Sequence, residues 1–257
     1  LITAGAIQSN HCRQTVAAAA KFGMGCTLVL FGDPPEKPDA NHMLHHSLGA
    51  QVIYIQHDAM KPTLEAVFET LSSEGKKPYL IPYGGSNPTG VLGYVNAMLE
   101  LAEQDCQPDW IVFASSSGGT QAGMLVGARL SGFEGKILGI SVDEPEDELR
   151  AQVAELATQT SATIGEEWTF SAEDVLVNDD YTGGGYAVMG PPEIEAIRLF
   201  AEKEALLLDP VYTGRAAAGM IDLIHRGAFG DTDTVLFWHT GGGPALFASR
   251  YQERLLQ

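Results

Sequence analysis

The chain has 257 residues, which is long enough to bury a sizeable hydrophobic core without disulfide bonds or structural metal ions. Its composition, with 45% hydrophobic and 19% charged residues, is that of an ordinary globular protein rather than a disordered one. The formal net charge of −18 excludes nucleic acid and anionic membrane surfaces as favoured partners, because a strongly acidic surface repels both.

The chain contains three cysteines, Cys12, Cys26 and Cys106, whose scattered spacing matches neither a disulfide framework nor a zinc motif. Free thiols are typical of a reducing compartment, and the sequence has no run of about 18 apolar residues that would span a membrane. We therefore expect a cytoplasmic protein without a bound metal. Leu1 is not a methionine and lies within an apolar stretch, so we expect a further segment upstream of it. The given sequence does not decide whether that segment contains a targeting signal.

Apolar runs of strand length alternate with segments of helical length along the chain. The predicted strands are Leu1–Ala6, Cys26–Phe31, Gln51–Ile55, Pro78–Pro82, Trp110–Ala114, Lys136–Val142 and Thr234–Trp238. The predicted helices are Asn10–Lys21, Lys61–Glu74, Val91–Gln104, Gln121–Leu130, Glu146–Thr158, Pro192–Lys203 and Ala216–His225. Strands rich in valine, isoleucine and leucine that alternate with helices are typical of parallel sheets covered on both faces, so we predict an α/β fold.

The glycine- and proline-rich segment 82–90 interrupts this alternation and marks a candidate domain boundary. We predict a small α/β domain over residues 1–82 and a large α/β domain over residues 83–257. Within the second domain, the acidic segment Asp143–Glu173 has only a weak periodic pattern. It is either a surface helix or an excursion from the sheet, and the sequence does not distinguish the two.

The sequence ASSSGGTQAGMLVGARL, residues 114–130, follows an apolar strand and begins an amphipathic helix. Residues 116–120 would present backbone N–H groups at the helix N-terminus, and two glycines without Cβ atoms let a phosphate approach closely. The spacing matches neither a Walker loop nor a dinucleotide-binding fingerprint. A tight strand-to-helix turn with a serine cap explains the pattern equally well, so the residues alone leave both interpretations open.

Further loops follow other predicted strands, at residues 84–90 and 239–247. Ligands of open parallel sheets bind beyond the carboxyl ends of the strands, so several such loops can line one crevice. At residues 3–15 a strand leads into a helix that Ser9 or Asn10 would cap. The same two residues and His11 also offer hydroxyl, amide and imidazole groups suited to a carboxylate.

Six segments, spread over nearly the whole chain, match one known family in order. They are TAGAIQSNHCRQTVAAAAKFG, PYLIPYGGSNPTGVLGYVNA, SSSGGTQAGMLVG, DDYTGGGYA, EALLLDPVYTGRAAAGMIDLI and LFWHTGGGPALF. Together they resemble the D-cysteine desulfhydrase and 1-aminocyclopropane-1-carboxylate deaminase family, a branch of the fold type II pyridoxal 5′-phosphate (PLP) enzymes. The resemblance implies two open, mainly parallel α/β sheet domains of the tryptophan synthase β type, with PLP in the cleft. It also implies a small amino acid as substrate and a homodimer.

The resemblance assigns cofactor contacts to individual residues. The family's phosphate cradle matches the loop of Ser117, Gly118, Gly119 and Thr120. Asn10 matches the asparagine that hydrogen-bonds the ring oxygen of PLP, and it is also assigned to substrate binding together with its neighbours Ser9 and His11.

The resemblance likewise assigns substrate and catalytic residues. Ser9 and His11 match positions that hold the substrate carboxylate. Tyr212 matches a tyrosine that lies against the cofactor ring, and Tyr186 matches a second tyrosine near the substrate. Ser9, Tyr186 and Tyr212 are therefore the candidate catalytic residues. Without the motif context, the two tyrosines would be interpreted as half-buried core aromatics.

Two positions distinguish the branches of this family. Deaminases typically have a glutamate after the VY tyrosine and a leucine after the last histidine, whereas this chain has Thr213 and Thr240. Thr213 is assigned to the cofactor, and the Thr240 hydroxyl would hydrogen-bond the pyridine nitrogen without protonating it firmly. This resembles the desulfhydrases and implies α,β-elimination, with D-cysteine giving pyruvate, sulfide and ammonia. L-cysteate sulfo-lyases share the threonines, and the deaminase reaction is a further alternative.

Family members bind PLP through a lysine in a GGNK-like segment that lies before the block with which this chain begins. The seven lysines of the chain stand in other contexts, none of them GGNK-like. We therefore expect an N-terminally truncated chain that is inactive alone, since this lysine is also the usual base for the α-proton. The alternative from another class is a catalytically inactive protein that binds PLP or an amino acid.

Overall fold

A computed structural model describes residues 1–104 and 106–256 of the chain. The strands are β1 (Ile2–Ala6), β2 (Thr27–Phe31), β3 (Gln51–Ile55), β4 (Trp110–Ser115), β5 (Lys136–Ser141), β6 (Leu176–Asn178) and β7 (Val235–Phe237). The helices are α1 (Asn10–Lys21), α2 (Ala40–Ser47), α3 (Met60–Ser73), α4 (Pro88–Glu103), α5 (Gly119–Ser131), α6 (Glu146–Thr163), α7 (Pro191–Glu204), α8 (Thr213–His225) and α9 (Ser249–Leu255). Short 3₁₀ turns complete these elements.

The chain forms two compact units, whose bounds differ from those of the predicted domains. The first unit comprises Leu1–Gly85 and the C-terminal segment that begins at Pro244, and the second comprises Ser86–Gly243. The sequence predicted residues 83–257 as one domain, whereas the structure groups the last helix with the first unit. A direct contact joins this helix to the first unit: the Ser249 backbone N–H and hydroxyl both donate to Asp39 Oδ2, each at 2.6 Å.

Each unit is built on a parallel sheet flanked by helices. The sheet of the first unit has the order β1-β2-β3, and that of the second unit has the order β6-β5-β4-β7. All neighbouring strands run parallel. The predicted α/β class with mainly parallel sheets is therefore confirmed.

The second sheet has a topological switch point beside its central strand. From β4 the chain passes outward through β5 to β6, and it then returns to place β7 on the other side of β4. Because the strands are parallel, the loops after β4 and β7 leave the same edge of the sheet on either side of the switch point. Ligands of open α/β sheets bind at this place.

Burial in the core explains why the central strands are continuous apolar runs in the sequence. Leu28, Val29 and Leu30 of β2 are completely buried, as are Ile111 and Phe113 of β4. Side chains of a strand point alternately to its two faces, so burial of consecutive residues requires cover on both faces. This arrangement is typical of a parallel sheet between helices.

Two glycines on one face of α5 set how closely α4 packs. A Cβ on Gly123 would lie 2.5 Å from Tyr94 Cβ, and one on Gly127 would lie 2.6 Å from Met98 Cβ. Real Cβ atoms do not approach so closely, so only glycine at both positions permits this spacing. The close packing fixes α5 against α4.

Several predicted elements differ from the structure. Pro78–Pro82 is not a strand, because it forms only an isolated bridge between Leu80 and Ile2 and a proline at each end has no N–H to donate. Three short elements, α2, β6 and α9, were not predicted. The acidic segment after Asp143 forms α6, and Leu149 and Val153 of this helix are completely buried. No helix in the described part of the chain is both long and apolar enough to cross a membrane.

Candidate functional site

In the second unit, the loop after β4 leads into α5 and contains the predicted phosphate cradle. Gly118 precedes the helix in a left-handed conformation with φ of 77°, which glycine adopts without strain. The first intrahelical bond runs from the Ala122 N–H to the Gly118 carbonyl at 2.9 Å. The N–H groups of Gly119, Thr120 and Gln121 precede this bond and have no intrahelical acceptor. They carry the positive end of the helix dipole, which suits an anion.

Neighbouring side chains fix the conformation of this loop. Ser86 Oγ donates to Ser117 Oγ at 2.7 Å, and Gln152 Nε2 donates to the Ser117 carbonyl at 2.9 Å. A Cβ on Gly119 would lie 2.7 Å from Ser86 Oγ, and one on Gly118 would lie 3.0 Å from a methyl carbon of Val153. The donor groups and the two required glycines therefore fit a phosphate group.

The loop after β7 lies on the other side of the switch point and contains Thr240. The side chain of Thr240 is half-buried, and its hydroxyl has no hydrogen-bond partner among the residues that the structure describes. Gly241 and Gly242 follow with φ of 88° and 90°, so the backbone turns sharply after the threonine. A half-buried hydroxyl without a protein partner fits the predicted contact with a ligand.

The structure brings the two predicted tyrosines together in the second unit. The hydroxyls of Tyr186 and Tyr212 are 2.9 Å apart, and the rings meet edge to face with centroids 6.2 Å apart. Tyr212 immediately precedes α8, and Tyr186 lies in the loop that follows β6. Both side chains are half-buried, which fits core aromatics and site residues equally well.

Thr213 is placed differently from what the resemblance implies. The residue is 1% exposed, and its hydroxyl donates to Asp209 Oδ1 at 2.9 Å and accepts the Asp209 N–H at 2.8 Å. The backbone N–H groups of Val211, Tyr212 and Thr213 also donate to the Asp209 carboxylate. The hydroxyl is thus used within the turn that begins α8, which fits a structural role better than a cofactor contact.

Arg215 is a buried residue of this region that the sequence analysis missed. It is 1% exposed, forms an ion pair with Glu193 at 3.0 Å, and donates to the carbonyls of Val142, Gly185 and Val188. It therefore holds the loop that contains Tyr186 against the carboxyl end of β5. The signal in the sequence is an arginine within the small, apolar helix segment TGRAAAGM.

Asp143 follows β5 at the same sheet edge and carries an unusual oxygen. Its Oδ1 atom is buried without a hydrogen-bond partner among the described residues. Burial raises the pKa of this carboxyl, although a hydrogen bond from Ser116 and the charge of Arg215 act in the opposite direction. The loop of the candidate cradle therefore has a poorly solvated acid as its neighbour.

In the first unit, Ser9 caps α1 as the sequence predicted. Its Oγ accepts the Cys12 N–H at 3.1 Å. A Cβ on Gly5 would lie 2.8 Å from both Ser9 Oγ and Cys12 Sγ, so a glycine in β1 permits this close approach. The cap uses an oxygen lone pair of Ser9, and the hydroxyl also hydrogen-bonds the Cys12 side chain.

Asn10 and His11 follow Ser9 at the start of α1. Asn10 Oδ1 accepts a 2.7 Å hydrogen bond from Asn41 Nδ2. His11 Nε2 lies 2.8 Å from Thr3 Oγ1, and this hydroxyl donates to the Ile81 carbonyl at 3.0 Å. The Thr3 oxygen must then accept from His11, which places the proton on Nε2.

Burial keeps the His11 ring neutral near pH 7. It lowers the pKa of His11 to about 4. With the proton on Nε2, the Nδ1 atom is a hydrogen-bond acceptor. This state does not suit a carboxylate, and it suits a donor group such as an amine.

The lysines and acidic groups complete the description of both units. All seven lysines of the sequence are exposed. Within the described residues, no group of three or more histidine, cysteine, aspartate and glutamate side chains is placed to hold a metal ion.

Comparisons with known proteins agree with these features. A family model described as pyridoxal-phosphate dependent enzyme matches residues 1–241. A crystal structure of an ACC deaminase homologue matches with a TM-score of 0.88 and 34% identity, covering 99% of this chain and 77% of that chain.

More distant solved structures share the fold alone. Maize serine racemase matches with a TM-score of 0.62 and 18% identity, covering 95% of this chain and 73% of its own. Serine racemase from Dictyostelium discoideum matches with a TM-score of 0.65 and 19% identity, covering 94% of this chain and 76% of its own. The family match and the 34% identical structure carry the assignment: the chain belongs to the family of pyridoxal-phosphate dependent enzymes.

Proposed function

We propose that this protein catalyses PLP-dependent α,β-elimination from a small amino acid, in the manner of D-cysteine desulfhydrases. With D-cysteine the products would be pyruvate, sulfide and ammonia. The observation that carries the proposal is the start of α5, where Gly118 and Gly119 leave backbone N–H groups available to a phosphate at the switch point of a parallel sheet.

The second unit offers the groups that would bind the cofactor. The amides and hydroxyls of Ser117–Thr120 would hold the phosphate, and Thr240 would contact the ring nitrogen. When bound, PLP supplies an electron sink for the α-carbon of an amino acid. The hydroxyl of Thr240 is a weaker proton donor than a carboxylic acid, which favours early departure of a β-substituent.

The tyrosine pair would move a proton during the reaction. The two hydroxyls share a 2.9 Å hydrogen bond in which either can be the donor, so a proton can pass between them. Tyr212 or Tyr186 can thus protonate a leaving sulfur and be reprotonated by its neighbour. A positioned acid contributes about 10²–10⁴ to the rate of such a step.

The first unit offers groups for the amino-acid substrate. The hydroxyl proton of Ser9 would donate to the carboxylate, and the Asn10 amide would donate to the ring oxygen of the cofactor. His11 is neutral with an acceptor at Nδ1, so its proposed contact is with the substrate amino group rather than the carboxylate.

The deaminase reaction is the second candidate, and the 34% identical ACC deaminase homologue favours it. Thr213 weighs against it, because that branch typically has a glutamate at this position. L-cysteate sulfo-lyase activity is consistent with both threonines. A protein that binds PLP or an amino acid without turnover is the candidate from another class.

One set of assays separates these functions. The protein, expressed from its complete open reading frame, is supplied with PLP and each of D-cysteine, L-cysteate and 1-aminocyclopropane-1-carboxylate. Sulfide with pyruvate from D-cysteine is the expected result. Sulfite from L-cysteate, or 2-oxobutanoate from the cyclopropane, would replace the proposed substrate with another. PLP binding without any product would assign a binding protein.

The family resemblance implies the oligomeric state, and the free cysteines of the sequence indicate the location. We propose a homodimer in the cytoplasm. Size-exclusion chromatography with light scattering tests the first part, and a monomer mass would contradict it. Cell fractionation tests the second part.

A further inference from the structure

Asn41 is a completely buried asparagine of α2 that contacts Asn10. It is 0% exposed, and its Nδ2 atom donates to Asn10 Oδ1 at 2.7 Å. The two residues are 31 positions apart, so nothing in the local sequence links them. A buried polar side chain is retained only where its hydrogen bonds are satisfied.

The partners of Asn41 determine which way its amide faces. Arg13 Nε donates to Asn41 Oδ1 at 3.0 Å, and a guanidinium can only donate. Asn41 Nδ2 donates to the Gln8 main-chain carbonyl at 3.0 Å, and a carbonyl can only accept. The amide oxygen of Asn41 must therefore face Arg13, and its nitrogen must face Gln8 and Asn10.

This orientation determines the orientation of the Asn10 amide. The atom of Asn10 that faces an N–H group must be its oxygen, so Asn10 Nδ2 points away from Asn41. Asn10 Nδ2 donates no hydrogen bond to any of the described residues. A donor N–H at this position suits an oxyanion, whereas an amide oxygen would repel one.

The surroundings hold Asn41 firmly. Its backbone N–H donates to Gln8 Oε1 at 3.0 Å, and Gln8 Nε2 donates to Asp39 Oδ1 at 2.6 Å. Ala40, between Asp39 and Asn41, has a φ of 44°, a left-handed conformation that costs a non-glycine residue about 1 kcal/mol or more. Strain of this kind persists only where the neighbouring contacts outweigh it.

We propose that Asn41 is a positioning residue that orients the Asn10 amide, so that Asn10 presents N–H rather than C=O to the ring oxygen of PLP. This inference rests on the proposed function, because it needs PLP to bind beside Asn10. Asn41 acts through Asn10 and does not itself touch the cofactor.

The test compares binding of two ligands to wild type and Asn41→Asp. PLP has the ring oxygen, and 3-deoxypyridoxal 5′-phosphate lacks it but keeps the phosphate and the aldehyde. In Asn41→Asp a carboxylate oxygen faces Asn10 Oδ1, so the Asn10 amide turns over and presents its oxygen. We expect the dissociation constant of PLP, measured by fluorescence titration, to rise about tenfold or more, corresponding to one lost charge-assisted hydrogen bond. The dissociation constant of 3-deoxypyridoxal 5′-phosphate should stay within about twofold of its wild-type value.

A double-mutant cycle separates positioning from general damage. In an Asn10→Ala background, the added Asn41→Asp change should have no further effect on PLP binding. Val29→Ala, at a completely buried position of β2, is a control for lost stability, and it should lower the melting temperature without changing the ratio of the two dissociation constants. An equal loss of both ligands in Asn41→Asp, or a persistent effect without Asn10, would overturn the inference.

The outcomes also separate this inference from the proposed function. Failure of wild type to bind either ligand would contradict the cofactor site itself and the inference with it. If Asn41→Asp does not fold, side-chain amide NMR of wild type answers the same question. The Asn10 Nδ2 protons should shift on addition of PLP but not of the deoxy ligand. Equal shifts with both ligands would count against the proposed orientation.

Discussion

The hydroxyls of Tyr186 and Tyr212 lie 2.9 Å apart, although the residues are separated by 26 positions. The buried side chain of Arg215 links their surroundings. It stands three residues after Tyr212 in the chain and donates to the carbonyl of Gly185, next to Tyr186. Arg215 therefore connects the start of α8, next to Tyr212, with the loop after β6 that contains Tyr186.

Removing either hydroxyl of the pair should slow the reaction. In Tyr212→Phe and in Tyr186→Phe the remaining tyrosine loses its proton relay, so we expect kcat to fall roughly 10²-fold with a small change in KM. Steady-state sulfide release from D-cysteine measures both constants. The double variant should be no slower than the worse single variant, because the two hydroxyls act as a unit.

Tyr181→Phe is the matched control for the tyrosine variants. Tyr181 lies in the same loop, but its hydroxyl donates to Asp222 Oδ2 at 2.7 Å instead of meeting another tyrosine. We expect this variant to keep wild-type kcat and to lose about 1 kcal/mol in the free energy of unfolding. Equal loss of kcat in all three variants would show that the hydroxyls of the pair have no special role.

The two glycines of the cradle should be required for PLP binding. A methyl group on Gly118 meets Val153 at 3.0 Å and forces a residue with φ of 77° into strain, so Gly118→Ala should distort the N–H groups that face the phosphate. We expect the dissociation constant of PLP to rise at least about tenfold, as for one lost charge-assisted hydrogen bond. Fluorescence titration with PLP measures the change.

Gly132→Ala is a matched control at the other end of α5. Gly132 also has a left-handed conformation, with φ of 71°, but a Cβ there meets no atom within 4 Å. Both variants should lose about 1 kcal/mol of stability from backbone strain. Only Gly118→Ala should bind PLP more weakly, and weaker binding in Gly132→Ala as well would mean that helix stability, not the cradle, controls affinity.

The elements that sequence patterns predicted well are those whose signal is local. α1 has the predicted bounds of Asn10–Lys21, because Ser9 caps it and its buried residues recur at helical spacing. The loop before Gly119 follows a strand and starts a helix as predicted, because glycines and a following apolar face are visible in a short window. Local capping and periodicity were sufficient in both cases.

The parts that were missed depend on contacts between distant positions. α2 buries Asn41, His42 and His45, so its buried face is polar and shows no apolar periodicity. β6 has only three residues and lies at a sheet edge, where the strand signal is weakest. The partners of Arg215 come from segments 22 to 73 positions away, so no window of sequence displays them.

Arg215 should be essential for stability. Its ion pair with Glu193 is almost completely buried, and Arg215→Met leaves the Glu193 carboxylate uncompensated in the interior. We expect a loss of about 3–5 kcal/mol in the free energy of unfolding, measured by urea denaturation. Adding Glu193→Gln should recover part of this loss, since it removes the stranded charge. A loss below about 1 kcal/mol in Arg215→Met would contradict the burial of the pair.

Neutralising Asp143 should stabilise the protein near pH 7. Burial raises its pKa, so the folded state binds more protons than the unfolded state between the usual value of 3.8 and the raised value. Stability is therefore lost as the pH rises through this window, and an uncharged amide in place of the carboxyl carries no such cost. We expect Asp143→Asn to gain about 1 kcal/mol at pH 7 and nothing below the usual carboxyl pKa. Urea denaturation at both pH values measures the stability of the variant and of wild type. A difference in stability that is the same at both pH values would refute the prediction.

The buried histidines of the first unit should make the fold sensitive to mild acid. Burial lowers the pKa of His11 and of His45 to about 4, and the Nδ1 atom of His45 has no hydrogen-bond partner among the described residues. The unfolded chain takes up these protons near pH 6.5, so the free energy of unfolding falls as the pH drops from about 7 towards 4. Each site contributes on the order of 1–3 kcal/mol to that fall.

His45→Gln removes one of these titrations and should reduce the pH dependence. The variant loses the weak 3.4 Å contact with the Ser9 carbonyl, so it should be slightly less stable than wild type at pH 7.5. Urea denaturation at pH 7.5 and 5.0 should show a smaller difference between the two pH values than in wild type. His225→Gln, which changes an exposed residue of α8, should keep the full wild-type difference. A histidine that stays neutral in the folded state must make the free energy of unfolding depend on pH. The same pH dependence in wild type and in both variants would therefore show that acid acts on groups other than His45.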